Sequence, residues 1–203
     1  MADHPTWLDQ ASLYIPEDRR AALASGRDLP ENAEGAALFA DISGFTPLTE
    51  ALTDALGLRR GAEELPSRLN AIYDALIDEV QRFGGSVIGF AGDAITCWFD
   101  GERPGGVAAA VGSAATCARS MQSAMRQFAA VPVPGREPVP LAVKIAIACG
   151  PARRFLVGDP ACLRYDVLAG ETLYRMAEAE HHAQRGEVLL DEASVEQLGS
   201  DVE

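Results

Sequence analysis

From Ala36 onward the chain alternates between short apolar runs and amphipathic stretches. AALFADI is an apolar run of strand length that closes on an acid, Asp41. Thr46 to Leu56 has the composition of a short helix. In the segment beginning at Gly61, residues Leu65, Leu69, Ile72, Tyr73, Leu76, Ile77, Val80 and Phe83 recur at spacings of three and four until Gly84-Gly85 ends the run. That periodicity predicts a long amphipathic helix. SVIGFAGDAITCWF carries two β-prone runs around Gly92-Asp93, the pattern of a hairpin, with Trp98 and Phe99 continuing its apolar face into the core. Residues 104–129 are rich in Ala and Met at helical spacing, PVPGREPVP is a turn-rich connection, and LAVKIAIACG alternates into a strand. RRFLVGD and RYDVLAG read as two further short strands, residues 171–183 as a helix, EVLLD as a strand and residues 192–198 as a closing helix. The first 35 residues are poorly periodic, with Pro5, Pro16, Pro30 and one short helical segment, EDRRAALASGR. The expected organisation is an arm over 1–35, packed on the domain or on a neighbour, and one domain over 36–203. Its fold class is α+β, built on an antiparallel or mixed sheet.

Composition narrows the functional classes. A chain of 203 residues, 48% hydrophobic and 23% charged, suits one globular domain. The net charge of −13 argues against a nucleic-acid partner. No apolar run approaches the roughly 20 residues that span a bilayer, and MADHPTWLDQ lacks the features of a secretory signal. Cys97, Cys117, Cys149 and Cys162 are widely spaced without a CxxC pair, which fits thiols in a cytoplasmic protein better than disulfides or a zinc site.

Two acids carry the candidate chemistry. Asp41 closes a strand and precedes Ile-Ser-Gly-Phe-Thr; Asp93 sits in a Gly-Asp turn. Singly, each has an ordinary structural reading, as a helix cap and as a turn residue. Together, a strand end and a hairpin tip meet if their strands are neighbours. Two converging carboxylates then repel unless a cation bridges them. Hard oxygen ligands of this kind suit Mg²⁺ or Mn²⁺ held jointly with a phosphate substrate. Gly44 permits close backbone approach, and the amides of Gly44, Phe45 and Thr46 open a helix, a natural phosphate seat.

FADISGFTPLTE and GGSVIGFAGDAITCWF resemble the two metal motifs of class III adenylate and guanylate cyclases, in particular the soluble, bicarbonate-responsive adenylyl type and its bacterial relatives. The resemblance extends over about residues 36–191. It implies a ferredoxin-like βαββαβ core with additional strands, and active sites formed between two such domains. Carried over, Asp41 and Asp93 hold two Mg²⁺ or Mn²⁺ ions, the carbonyl of Ile42 completes one metal site, and Phe45 and Thr46 touch the triphosphate. The ribose 3′-hydroxyl then attacks the α-phosphorus and pyrophosphate leaves.

The sequence departs from that family pattern at three places. The purine-reading Lys, four residues before the second metal Asp, is Gly89 here. In the last long helix the Asn position falls on Tyr174 and the Arg position on Glu178, with Arg175 close by. Asp166 matches the base-contacting position. The loss at Gly89 also argues against bicarbonate sensing. A homodimer of this chain in isolation would have metal ligands but no transition-state arm. The expected function is therefore the metal- and triphosphate-binding half of a composite site that converts ATP, rather than GTP, to the cyclic nucleotide with a second cyclase domain in the same or another chain. The competing reading is an inactive cyclase-like module for regulation or dimerisation. Lys144 is expected as a snorkelling ammonium on an edge strand, Arg153 and Arg154 as solvated, and His181 and His182 as surface residues.

Overall fold

A computed structural model describes residues 15–159 and 162–199; residues 1–14 of the expected arm and 200–203 lie outside it. In chain order the elements are α1 (Glu17–Ala24), β1 (Asn32–Ser43), α2 (Phe45–Leu56), α3 (Leu58–Arg82), β2 (Ser86–Ala91), β3 (Ala94–Asp100), α4 (Gly106–Met125), β4 (Ala142–Asp159), β5 (Leu163–Ala169), α5 (Glu171–His182), β6 (Val188–Leu190) and α6 (Glu192–Leu198). The strands form one sheet in the order β2-β3-β1-β4-β5, antiparallel throughout, and β6 adds to β4 in parallel. The β2-β3-β1-β4 portion, with helices linking β1 to β2 and β3 to β4, is the expected ferredoxin-like βαββαβ core.

Period-two alternation in β1 sorts its side chains onto two faces. Ala36, Leu38, Ala40 and Ile42 join the larger core, which takes Ile72, Leu76 and Val80 from α3 and Val111, Ala114 and Met121 from α4. Ala33 and Ala37 point the other way, with Trp98, Ala146, Ala148 and Ala152, and meet Met176 of α5. Small residues on this second face let helices approach the sheet closely. Trp98 and Phe99 are both core, as expected, but on opposite faces.

Gly35 shows how tight the second face is. A Cβ there would lie 2.2 Å from the Phe99 carbonyl oxygen and 2.7 Å from Cζ2 of Trp98. Gly35→Ala should therefore lower unfolding free energy by about 1–3 kcal/mol, the usual cost of overpacking, as read from the midpoint of urea denaturation at unchanged slope.

β4 differs from the expected pair of short strands. It runs unbroken for 18 residues through Gly150-Pro151, pairing with β1 over its first part and with β5 over its last. Gly150, at φ 137°, allows the chain to turn there without leaving the sheet. The turn chemistry of Gly-Pro mimics a strand boundary in the sequence. α1, the helical part of the arm, packs on the second sheet face, where Arg19 and Ala22 are buried.

Candidate functional site

Asp41 follows Ala37 and Phe39 along the second face and emerges near the end of β1. Its sheet neighbours are Lys144 on β4 and Ala94 on β3. Lys144 belongs to the same alternation as Ala146 and Ala148, so its ammonium lies beside the carboxylate, with Nζ 3.3 Å from Oδ2 of Asp41. The ammonium also contacts Glu180, from the last turns of α5. Lys144 is thus on a central strand, 23% exposed, between two acids, not at a sheet edge. Its hydrogen bond to Glu180, and then that to Asp41, raise its pKa despite partial burial. Glu180 is a site residue that the sequence reading missed. Its only signal was that a lysine in an apolar strand requires an acid within reach.

Asp93 occupies the β2–β3 turn after Gly92, whose φ of 64° falls in the left-handed region. Two bonds hold this turn against the domain. The Ile42 amide donates to the Asp93 carbonyl at 3.2 Å, and the Tyr73 hydroxyl donates to the Gly92 carbonyl at 2.7 Å. The Tyr73 ring, on α3, also meets Phe90 edge-on at 5.2 Å between centroids. Tyr73 is therefore more than part of an apolar helix face. Burial raises the Asp41 carboxyl above its usual value, the Lys144 hydrogen bond opposes that, and the Asp93 charge raises it further. Burial also raises the Tyr73 phenol, helped by Asp93 and Asp41 in turn. Asp93 thus stands next to Ala94, the sheet partner of Asp41, and its charge acts on the Asp41 carboxyl.

β1 passes into α2 through Gly44, at φ 99°. A Cβ at this position would lie 2.6 Å from the Pro140 carbonyl oxygen. Glycine is needed both for the backbone conformation and for the space. No side chain caps α2, so the first-turn amides around Phe45 and Thr46 have no side-chain acceptor. Gly44→Ala should cost about 1–3 kcal/mol of stability through strain at a left-handed position, measured by thermal unfolding, and should displace the loop between Asp41 and α2.

The positions that depart from the family pattern lie elsewhere. Gly89 sits at a register slip in β2, where a Cβ would meet nothing within 4 Å. Tyr174 is 61% exposed, and Glu178 is exposed on the same helix. Arg175 is engaged within the domain. Its Nε donates to Asp191 at 2.8 Å and its guanidinium reaches the Cys149 carbonyl, while Asp191 caps α6. The Asp166 side chain is 3% exposed, with both oxygens engaged by Arg154 and Arg19. Arg154, expected to be solvated, is 3% exposed at its side chain. His181 and His182 are on the surface, and Cys97, Cys117 and Cys149 are buried free thiols while Cys162 is exposed.

The donor set at Asp41 and Asp93 fits a hard divalent cation: two carboxylates whose charges repel, and the backbone carbonyl of Ile42 between them in sequence. Among the described residues no group of three or more His, Cys, Asp or Glu forms a complete ligand cage. Substrate phosphates and water would have to supply the remaining ligands, the usual arrangement for Mg²⁺.

Comparison with known proteins shows the family. The model of the adenylate and guanylate cyclase catalytic domain matches residues 30–202. The chain belongs to that family. Adenylate cyclase type 10 of Mus musculus is 30% identical over 157 residues, covering 77% of this chain and 9% of the relative. The human protein of that name is 43% identical over 70 residues, 34% of this chain and 4% of the relative. The match thus spans under a tenth of the length of these curated relatives. Among solved structures, the adenylyl cyclase CyaB from P. aeruginosa superposes with a TM-score of 0.68 at 21% identity, covering 82% of this chain and 81% of that one. The guanylate cyclase domain of RhGC from Catenaria anguillulae, in complex with GTP, gives 0.68 at 17% identity, covering 84% and 85%. This is a class III nucleotidyl cyclase domain with the fold of both adenylyl and guanylyl enzymes. Among the described residues no helix is long and apolar enough to cross a membrane.

Proposed function

We propose that this cyclase domain is the metal- and triphosphate-binding half of a composite active site, converting ATP to cyclic AMP and pyrophosphate with a second cyclase domain in the same or another chain. One observation carries the reading. Asp93 stands next to the sheet partner of Asp41 and is bonded through its carbonyl to the Ile42 amide, near an uncapped helix start, while the positions that the resemblance gives to the transition state hold an exposed Tyr174 and Glu178. Asp41 and Asp93 would hold two Mg²⁺ or Mn²⁺ ions with the Ile42 carbonyl. Bound ions of this kind supply Lewis acidity to the attacking oxygen and the leaving phosphates. The turn at Gly44 and the amides of Phe45 and Thr46 seat the triphosphate at the positive end of α2. Lys144, beside Asp41, adds a cation on the same face. The 3′-hydroxyl oxygen bonds to the α-phosphorus and gives its proton to water, and the bond to the bridging oxygen breaks as pyrophosphate leaves. ATP is favoured over GTP by the similarity to adenylate cyclase type 10. The buried free thiols support a cytoplasmic setting.

A specific observation favours a second reading. Lys144 already neutralises Asp41 from within the fold, as it would in a module retained for regulation or dimerisation. The two readings separate in a mixing experiment with Mn²⁺–ATP. The chain alone should form no measurable cyclic nucleotide. Added to a cyclase domain that supplies the Lys, Asn and Arg but lacks its own metal carboxylates, it should restore synthesis. No restored synthesis in any pairing would support the module instead.

A further inference from the structure

Helix α5 lies along β4 on the second sheet face, and its anchors follow the strand in order. Thr172 donates its hydroxyl to the Pro151 carbonyl at 2.7 Å, Arg175 reaches the Cys149 carbonyl, and Met176 packs among Ala146 and Ala148. Glu180 is one turn beyond Met176 on the same helix face. The next position of the β4 alternation is Lys144, and Glu180 contacts its ammonium. Packing of α5 therefore fixes where this carboxylate ends. Lys144 in turn stands opposite Asp41 across the β1–β4 register, with Nζ 3.3 Å from Oδ2. Among the described residues Asp41 and Glu180 are its acid partners, and the Asp41, Lys144 and Glu180 side chains are 23%, 23% and 16% exposed. One ammonium thus bridges two carboxylates, and only one of the two is a candidate metal ligand.

We infer that Glu180 is a positioning residue for the metal site: it holds the Lys144 ammonium off Asp41 when a divalent cation binds there. An ammonium and a metal ion compete for the same carboxylate oxygens, since each is drawn to the same negative charge. Ionised Asp41, Asp93 and Glu180 with Lys144 carry two net negative charges, so one divalent cation balances the cluster only if the ammonium stays in it. Glu180 gives the ammonium a place to stay. The lysine stem is long and flexible, so its head can shift from one acid to the other without leaving this face. A glutamine at 180 would leave Asp41 as the ammonium's one carboxylate partner, and an entering cation would then have to displace it. This inference rests on the metal–triphosphate reading for its ligand, and it accounts for a lysine paired to a metal-site acid in a domain that binds metal.

The test is a double-mutant cycle on the full chain, titrated with Mn²⁺ alone. Free ion is counted by electron paramagnetic resonance, and far-UV circular dichroism confirms folding. Glu180→Gln should weaken Mn²⁺ binding about three- to tenfold, and Lys144→Met should tighten it by a similar factor, the scale of a partly shielded ion pair. In the Lys144→Met background the effect of Glu180→Gln should fall to about twofold or less, because no ammonium is left to position. Lys144→Gln replaces Lys144→Met in the cycle if the methionine variant does not fold. A loss of equal size in both backgrounds would overturn the inference, since Glu180 would then act on the ion through its own charge. Unchanged binding in Glu180→Gln, with Mn²⁺ still bound by the wild type, would overturn it too and leave the metal–triphosphate reading standing. Absence of Mn²⁺ binding in every variant, Lys144→Met included, would overturn both.

Discussion

Asp41→Ala and Asp93→Ala should each reduce cyclic nucleotide synthesis by at least about 10²–10³-fold when this chain is paired with a complementary cyclase domain. The lower bound is the typical loss for one preorganised electrostatic group, and each substitution removes one of the two carboxylates proposed to hold metal. The effects should not multiply, because the two acids act as one donor set. The loss does not come through folding. Asp41 is partly exposed, and its removal leaves the Lys144–Glu180 pair intact. Asp93 lies in a turn held by backbone bonds to Ile42 and Tyr73 that its side chain does not make. An unchanged thermal midpoint with lost synthesis is the expected combination, measured by cyclic nucleotide formation and calorimetric unfolding on the same preparations.

Arg154→Ala should be the most destabilising single change in the domain, by about 3–5 kcal/mol, because it leaves Asp166 and Asp18 short of their shared partner in a buried setting. That is a large part of the 5–15 kcal/mol typical of a whole domain. The neighbouring Arg153→Ala is the control. Arg153 is exposed and paired with exposed Glu31 at 3.6 Å, so its loss should cost about 0–1 kcal/mol. The pH dependence has a definite sign. Burial pushes the Asp166 carboxyl up, but hydrogen bonds from Arg154 and Arg19 outweigh burial and hold it below the ordinary value. A carboxyl with a lowered folded pKa stabilises fully above its unfolded pKa and loses that contribution as pH falls through the folded one. The gap between wild type and Arg154→Ala in urea denaturation should therefore be constant near neutrality and narrow only below the ordinary carboxylate range.

Local patterning made most of this fold legible. The repeats of three and four in α3, the Gly92-Asp93 turn and the alternation in LAVKIAIACG each correspond to an element of the structure. Gly150-Pro151 carries turn chemistry and so predicts a break in β4, while the strand's continuity depends on partners in β1 and β5 that are distant in sequence. The same reason hid three side-chain roles. Lys144 meets Asp41 and Glu180 only through the β1–β4 register and the docking of α5. Tyr73 fits the apolar helix pattern equally well whether or not its hydroxyl reaches the Gly92 carbonyl. Arg154 looked solvated because its acids lie on α1 and β5, 136 and 12 residues away. The two candidate acids are legible because their motifs are local; the groups around them are not, because they are assembled by topology.

Calorimetric titration of the isolated chain with ATP in the presence of Mn²⁺ tests the central claim most directly. Saturable, metal-dependent binding is expected, lost in Asp93→Ala and retained in Tyr174→Ala. Binding that is absent with metal, or that survives loss of Asp93, would contradict that claim.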